Sequence, residues 1–415
     1  MNLLRHAALT ALAIGALSIS AAQAAETKGS VTDEVGVIEI QKGQPVVLGA
    51  YLAVGGPESA LGIDEKRAIE IALDEVDWKI AGHPVKLNVE DSLCNSEGGQ
   101  NAATKLAANQ KVVVVIGPSC SNAAMPGAPI LGKAGIPSIG LNSVPAITEP
   151  DRDPIYNWYT RTAFNDSWSA LSDADYAYNT AGARRVIALH DGTSYSESVA
   201  KHFAEAFKAQ GGEVISIEAV GAQDVDMRPA LTKIAADKPD MIYMPLYVFA
   251  AGYVVRQAKD VSGLENTILL GQNALMTPDM ITAAGDSVVG FRIALVDLSP
   301  EVFSPDYPKF INTYVEKYGE KPPQAYHYLA YDATKMALAA IEKTMVTDDK
   351  GNSYIGRKAM RDALYSTKGL SGLSGEITCD QYGDCGVFHG AVYEFTDSDA
   401  ATFEPGKNPK KIWPN

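Results

Sequence analysis

The residues of this chain best placed to do chemistry carry neutral hydroxyl, amide and phenol groups. Gly117-Pro118-Ser119-Cys120-Ser121-Asn122 leaves an apolar run, Val112–Ile116, and enters a segment of helical character. Backbone amides and the Ser121 hydroxyl then gather at a helix N-terminus, where partial positive charge favours an anion such as a carboxylate. The same residues equally suit a simple N-cap by Ser121 or Asn122. Gly140-Leu141-Asn142-Ser143-Val144-Pro145 follows the next apolar run and offers similar donors. Asp191-Gly192-Thr193-Ser194-Tyr195 follows Val186–Leu189, and Tyr247 follows Met241–Met244. Tyrosine combines apolar area with one hydrogen bond, which suits a cleft wall. All these candidates fall at the carboxyl ends of expected strands.

Other chemistries lack their residues. The chain has no G-x-G-x-x-G, G-x-x-x-x-G-K-[ST], H-E-x-x-H or G-x-S-x-G pattern. Of the six histidines, only His190 and His202 lie near one another, too far apart for one helix face. His83 precedes Pro84 and reads as a solvated loop residue. Cys120 follows a strand, but a cysteine nucleophile needs a base and a free thiol. A bridge explains it better. Cys94 and Cys120 each follow an expected strand. If those strands are neighbours, both thiols meet at one sheet edge, and closing the loop stabilises by about 3.5 kcal/mol on the chain-entropy account. Cys379 and Cys385 flank Asp380-Gln381-Tyr382-Gly383-Asp384 and would staple a hairpin-like turn.

Bridges need an oxidising compartment, and the N-terminus points to one. Arg5 precedes an apolar stretch, Ala7 to Ile19, which is shorter than the roughly 20 residues that span a bilayer. Ala22-Gln23-Ala24 has the form of a signal-peptidase site. Residues 1–24 therefore read as a secretory signal cleaved after Ala24, with the periplasm as destination and no membrane anchor thereafter. The whole chain has 35 Lys+Arg against 50 Asp+Glu, a net charge of −15. Such a surface repels phosphate backbones, which argues against nucleic-acid partners.

The elements that must position these loops alternate strand and helix. Strands are expected at Pro45–Val54, Val85–Val89, Val112–Ile116 and Ile136–Ile139, then at Val186–Leu189, Val214–Ile217, Met241–Met244 and Ile268–Leu270. Helices are expected at Asp64–Trp78, Glu97–Asn109, Glu197–Ala209, Pro229–Ala236 and Ala250–Lys259, with longer ones at Pro308–Tyr318 and Ala325–Lys343. That order implies parallel sheets covered by helices on both faces. Late strands follow at Glu376–Thr378 and Val387–Phe395. Thr148–Asn157, rich in proline and charge, marks a boundary between two α/β lobes, and residues 25–44 form a lead-in of weak periodicity. Ligands of such sheets sit beyond the strand carboxyl ends.

Taken together, these segments resemble the branched-chain amino acid-binding proteins, the periplasmic solute receptors of ABC importers. The resemblance runs from about Pro45 to Phe395. It rests on Val115-Ile116-Gly117-Pro118-Ser119-Cys120-Ser121, on the Ala-Gly-Ile-Pro-Ser-Ile run at 134–139, on Leu189-His190-Asp191 with Tyr195, on Tyr331-Asp332-Ala333, and on Gly375-Glu376-Ile377 with Gly383-Asp384. It implies a type I periplasmic-binding fold: two doubly wound Rossmann-like lobes joined by a three-strand hinge. Residues 45–161 plus 292–388 would form lobe 1, and 162–291 plus 389–415 lobe 2, with crossovers near Arg161–Thr162, Phe291–Ile293 and His389–Ala391. The placement of Cys94 and Cys120 also resembles the family's first-lobe disulfide.

Carried across residue by residue, the resemblance makes Ser121 the carboxylate-binding serine. Asn142, Ser143 and Val144 complete that site, with Val144 where a threonine is usual. Tyr195 and Tyr247 become the tyrosines that close on the ligand, and Tyr326 an aromatic of the side-chain pocket. Asn273 stands where amino-acid binders place a glutamate for the ligand ammonium, and Leu61 replaces an aromatic near the pocket mouth. Charge-assisted bonds are roughly twice as strong as neutral ones, so the ammonium half of the site is weakened. The ligand is then either a hydrophobic amino acid held less tightly or a carboxylate without a free amine, such as an aromatic or hydroxy acid. The implied partners are that solute, a membrane permease and its ATPase; no cofactor, metal or catalysis is called for. A sensor that hands its ligand to a signalling receptor is the alternative, and a hydrolase a more distant one.

Overall fold

The computed structural model describes residues 25–414; the signal peptide expected at 1–24 lies outside them. Three short strands, β1 (Glu26–Lys28), β2 (Val31–Asp33) and β3 (Val37–Ile40), open the chain. The first sheet is built from β4 (Val46–Leu52), β5 (Lys79–Ile80), β6 (His83–Asp91), β7 (Val112–Ile116), β8 (Ser138–Gly140) and β9 (Tyr159–Arg161), in the order β5-β6-β4-β7-β8-β9. All neighbours are parallel except β5 with β6. The connecting helices are α1 (Ser59–Asp74), α2 (Ser96–Ala108) and α3 (Ser121–Lys133). Every residue of β4 and β7 is buried. Strands covered on both faces read as continuous apolar runs, which is why β7 matches its expectation.

The chain then enters α4 (Asp166–Asp175) and builds a second sheet. Its elements are β10 (Arg185–His190), α5 (Ser194–Ala209), β11 (Glu213–Ala219), α6 (Arg228–Ala236), β12 (Met241–Met244), α7 (Val248–Ala258), β13 (Ile268–Gln272), α8 (Pro278–Ala284) and β14 (Arg292–Val296). It returns to the first lobe for α9 (Tyr307–Tyr318), α10 (His327–Thr344), β15 (Val346–Thr347), β16 (Ser353–Gly356), α11 (Arg357–Tyr365), β17 (Leu370–Gly372) and β18 (Gly375–Ile377). It ends in the second with β19 (Gly390–Glu394) and β20 (Lys410–Trp413), giving a seven-stranded order β11-β10-β12-β13-β14-β19-β20. Three connections thus join the lobes. Separate apolar cores lie in each: α1 and α10 pack on β4 and β7 in lobe 1, whereas α5, α7 and α8 cover β10 and β12 in lobe 2.

Several expectations shift. Strand β14 hydrogen-bonds to β13 and β19, so the boundary expected at 292 falls inside the second sheet; the chain leaves that sheet after Val296. The Pro-rich segment 148–157 lies wholly before β9 and so within lobe 1. Proline there starts a 3₁₀ turn at Pro154–Tyr156 rather than a linker. The lead-in is tied down: β3 pairs with β16, and the Asp33 carboxylate accepts from the Lys358 and Ala359 amides that begin α11. His83 is buried, its ring nitrogens 3.0 Å from the Gln44 carbonyl and 2.8 Å from the Ser353 hydroxyl. It is a core residue, not a solvated one. The strands before Cys94 and Cys120 are not neighbours, because β4 runs between β6 and β7. The two loops nevertheless meet beyond its end, with Cα atoms 5.2 Å apart and the disulfide formed.

The second bridge, Cys379–Cys385, does more than staple a turn. It presents Asp384 to the first crossover. There the fully buried Arg161 guanidinium donates from Nη2 to Asp384 Oδ2 at 2.7 Å and from Nη1 to the Val144 carbonyl at 2.7 Å. Asn165 Nδ2 donates to the same carboxylate at 3.1 Å. A buried ion pair with both partners hydrogen-bonded is costly to break from one side, so this crossover is bolted to lobe 1.

Candidate functional site

Helix α3 begins at the end of β7, with Gly117 at φ 105°. A Cβ there would sit 2.6 Å from the Tyr51 carbonyl, so only glycine lets the turn approach β4 this closely. Gly99 does the same between helices: its Cβ would lie 2.5 Å from the Ala123 Cα, so α2 rides directly against the first turn of α3. The N-cap of α3 is Cys120, and no side chain caps it. The capping alternative for Ser121 and Asn122 is therefore not realised. Ser119, Cys120 and Ser121 of this turn line the gap between the lobes.

Seven of the eight expected residues line one small interlobe cavity: Ser121, Asn142, Ser143, Tyr195, Tyr247, Asn273 and Tyr326. Leu61, Ser119, Cys120 and Ala274 complete it. The eighth, Val144, does not. Its side chain packs with Ala124, Ala128, Ile147 and Tyr159, and its carbonyl serves Arg161. A valine follows naturally where the side chain faces an apolar cluster. Ser119 and Ala274 were not among the ligand-binding residues expected from the sequence, although both lie near that set in the chain.

Each lining group has a support. Tyr195 Oη donates toward two carbonyl oxygens, Asn273 Oδ1 at 2.9 Å and Gln272 Oε1 at 3.0 Å. Gln272 Oε1 also accepts from the Asn273 amide at 2.6 Å. Asn142 Nδ2 donates to Tyr159 Oη at 2.7 Å and to the Pro118 carbonyl at 3.2 Å, and its Oδ1 has no partner. The Tyr326 and His327 amides donate to Asp64 at 3.0 and 2.8 Å, which fixes the start of α10. Ser119 Oγ donates to Glu65 and accepts from the Ala53 amide. Burial holds the Glu65 carboxyl well above its ordinary pKa. Burial likewise holds the Tyr195, Tyr247 and Tyr326 phenols well above theirs, so all three remain neutral donors.

Asn122 crosses between the lobes. Its Oδ1 accepts from the Tyr195 amide at 3.2 Å, and its Nδ2 donates to the Cys94 carbonyl at 3.2 Å and Tyr247 Oη at 3.4 Å. The lobes are shut, and the cavity measures ≈ 20 Å³, room for about one water. A solute must part them to enter. No lining residue carries a charge. The arrangement can hold a small anion by neutral dipoles and close two tyrosines over its body.

The periplasmic binding protein family matches residues 45–393. The chain belongs to that family. Its resemblance to the branched-chain amino acid-binding group holds as well. The Leu/Ile/Val-binding protein BraC3 of Rhizobium johnstonii is 26% identical over 343 residues, covering 82% of this chain and 88% of that protein. The leucine binding protein LivK of Thermotoga maritima superposes with TM-score 0.76 at 26% identity, over 85% of this chain and 96% of LivK. A solute binding protein of R. palustris, solved with benzoate, superposes with TM-score 0.71 at 21% identity, over 88% of this chain and 94% of that one. These periplasmic binding proteins share the two-lobed α/β fold expected from the sequence. Among the described residues no helix is long and apolar enough to cross a membrane.

Proposed function

We propose that this periplasmic binding protein captures a small carboxylate-bearing solute between its lobes by hinge closure and delivers it to the permease of an ABC importer. Export through residues 1–24, and docking of the shut form on the permease, belong to the same reading. The observation that carries it is the uncapped start of α3 with Ser121, faced by Tyr195 and Tyr247 across a chamber without charged lining. The helix amides and Ser121 bind the carboxylate. The tyrosines cover its body. Asn273 brings no negative charge, and its carbonyl already accepts from Tyr195. This favours a carboxylate without a free ammonium, of aromatic or hydroxy-acid type. A hydrophobic amino acid is the second reading, supported by the kinship with Leu/Ile/Val-binding proteins. Only a solute that binds the shut form more tightly than the open one can drive closure. No covalent step is involved.

The test is calorimetric titration with benzoate, a hydroxybenzoate and leucine. An aromatic acid is expected to bind more tightly than leucine, with about tenfold loss in Ser121→Ala. Unchanged affinity in that variant, or no binding by any acid, removes the reading.

A further inference from the structure

Outside the tyrosine wall the cleft opens into a second interlobe cavity of ≈ 390 Å³. Tyr247 lines both spaces, Cys94 faces the outer one and Cys120 the inner. Two charged residues line the outer cavity, and both are acids: Glu58, between β4 and α1, and Asp191, just after β10. They come from opposite lobes. Asp191 is only 6% exposed. Its Oδ1 accepts from the Thr193 amide and hydroxyl at 3.1 and 2.6 Å, while its Oδ2 has no partner. Two aromatic side chains, Tyr247 and Phe249, complete that wall.

We propose that this outer cavity is a subsite for an organic ammonium group, primary or methylated, which bridges Glu58 of lobe 1 and Asp191 of lobe 2 when the lobes shut. A buried, half-partnered carboxylate lacks a counter-charge, and no Lys, Arg or His lines the space to supply one. Aromatic faces beside paired acids suit an alkylammonium, which gains cation–π attraction as well as Coulomb energy. A divalent metal fits poorly: it wants about six to eight oxygen ligands, and among the described residues no group of three metal-ligating side chains gathers. Burial, with Asp279 and Asp191 nearby, pushes the Glu58 pKa up to about 7. Closure therefore brings a proton or a cation to this spot. The subsite stands on the closed two-lobe geometry and not on the carboxylate reading.

The exported full-length protein is titrated at pH 8 with propylammonium chloride and tetramethylammonium chloride, against sodium chloride of equal ionic strength, while NMR follows the Tyr247 and Phe249 ring protons. Saturable shifts with the ammonium salts are expected, weakened about fivefold or more in Glu58→Gln and in Asp191→Asn. An equal response to sodium chloride, or unchanged affinities in both variants, overturns the proposal. If Asp191→Asn fails to fold, Glu58→Gln, at a half-buried loop end, decides alone. A second arm locates the ammonium. Preference for 6-aminohexanoate over hexanoate, lost in Glu58→Gln, places it on the solute held in the inner chamber. Saturation by propylammonium without that preference makes it a separate amine. Ser121→Ala should weaken hexanoate and leave propylammonium unchanged, so a failed inner site is distinguishable from a failed outer one.

Discussion

The two cavities of the cleft share a wall and differ in every other respect. The inner one measures ≈ 20 Å³ and has no charged lining; the outer measures ≈ 390 Å³ and carries two acids from opposite lobes. The difference teaches how one hinge can enclose two spaces of different chemistry. Neutral dipoles in the inner chamber suit a charged group, because they were desolvated when the protein folded. Facing carboxylates repel as the lobes shut, so the outer cavity makes closure depend on what neutralises them.

The largest expected effect abolishes the comparison by loosening the hinge. Asp384→Ala leaves the buried Arg161 guanidinium without its counter-ion, which costs about 3–5 kcal/mol. Urea titration should show a much lower unfolding midpoint and weaker binding of every solute. An unaltered midpoint would mean that Arg161 is held by its carbonyl contacts alone.

Asn273→Glu sharpens the contrast by charging the inner chamber. Charge-assisted bonds of about 1.5–3 kcal/mol predict a ten- to hundredfold shift of preference from benzoate towards leucine, read by paired calorimetric titrations. A parallel loss for both solutes would place Asn273 away from the ligand.

Glu58 supplies a pH dependence with a definite sign. The shut form holds its pKa near 7, whereas an open, solvated glutamate titrates near its ordinary value of about 4.3. Closure thus takes up a proton. Solute affinity should rise up to about tenfold from pH 8 to pH 6, and Glu58→Gln should flatten that slope. A slope of opposite sign, or one that persists in Glu58→Gln, would remove Glu58 from the account.

The smallest effect falls on the shared wall. Asn122 lies outside the inner lining yet bonds Tyr195 and Tyr247 across the lobes. Asn122→Ala should weaken inner-chamber solutes of every kind alike, by about three- to tenfold. Small-angle scattering should show a larger open fraction; selective loss of one solute class would contradict this role.

Much of the fold was legible because burial writes a local pattern. The runs Val112–Ile116 and Met241–Met244 coincide with β7 and β12. Helices α4 and α11, and the seven-residue α8, escaped notice. The first is Ser- and Asp-rich with little apolar stripe, and the second has five of its nine residues outside the core. The first three strands were missed since each is too short to show a period; they exist by pairing and docking on distant residues. At the site, loop residues after strands were legible because open parallel sheets place ligands there. Val144 was misplaced because a residue in a binding loop can still face inward.

The sequence alone determined which groups this protein could offer: an apolar α/β scaffold, with hydroxyls and amides, Asn273 among them, at strand ends. Tertiary structure decided which groups meet. Glu58 and Asp191 belong to different lobes, the expected strand adjacency behind Cys94 and Cys120 proved false, and Asp384 reaches Arg161 only through a distant loop. Periodicity is a property of neighbouring residues; juxtaposition across a hinge depends on how whole sheets are connected, and no local pattern encodes that.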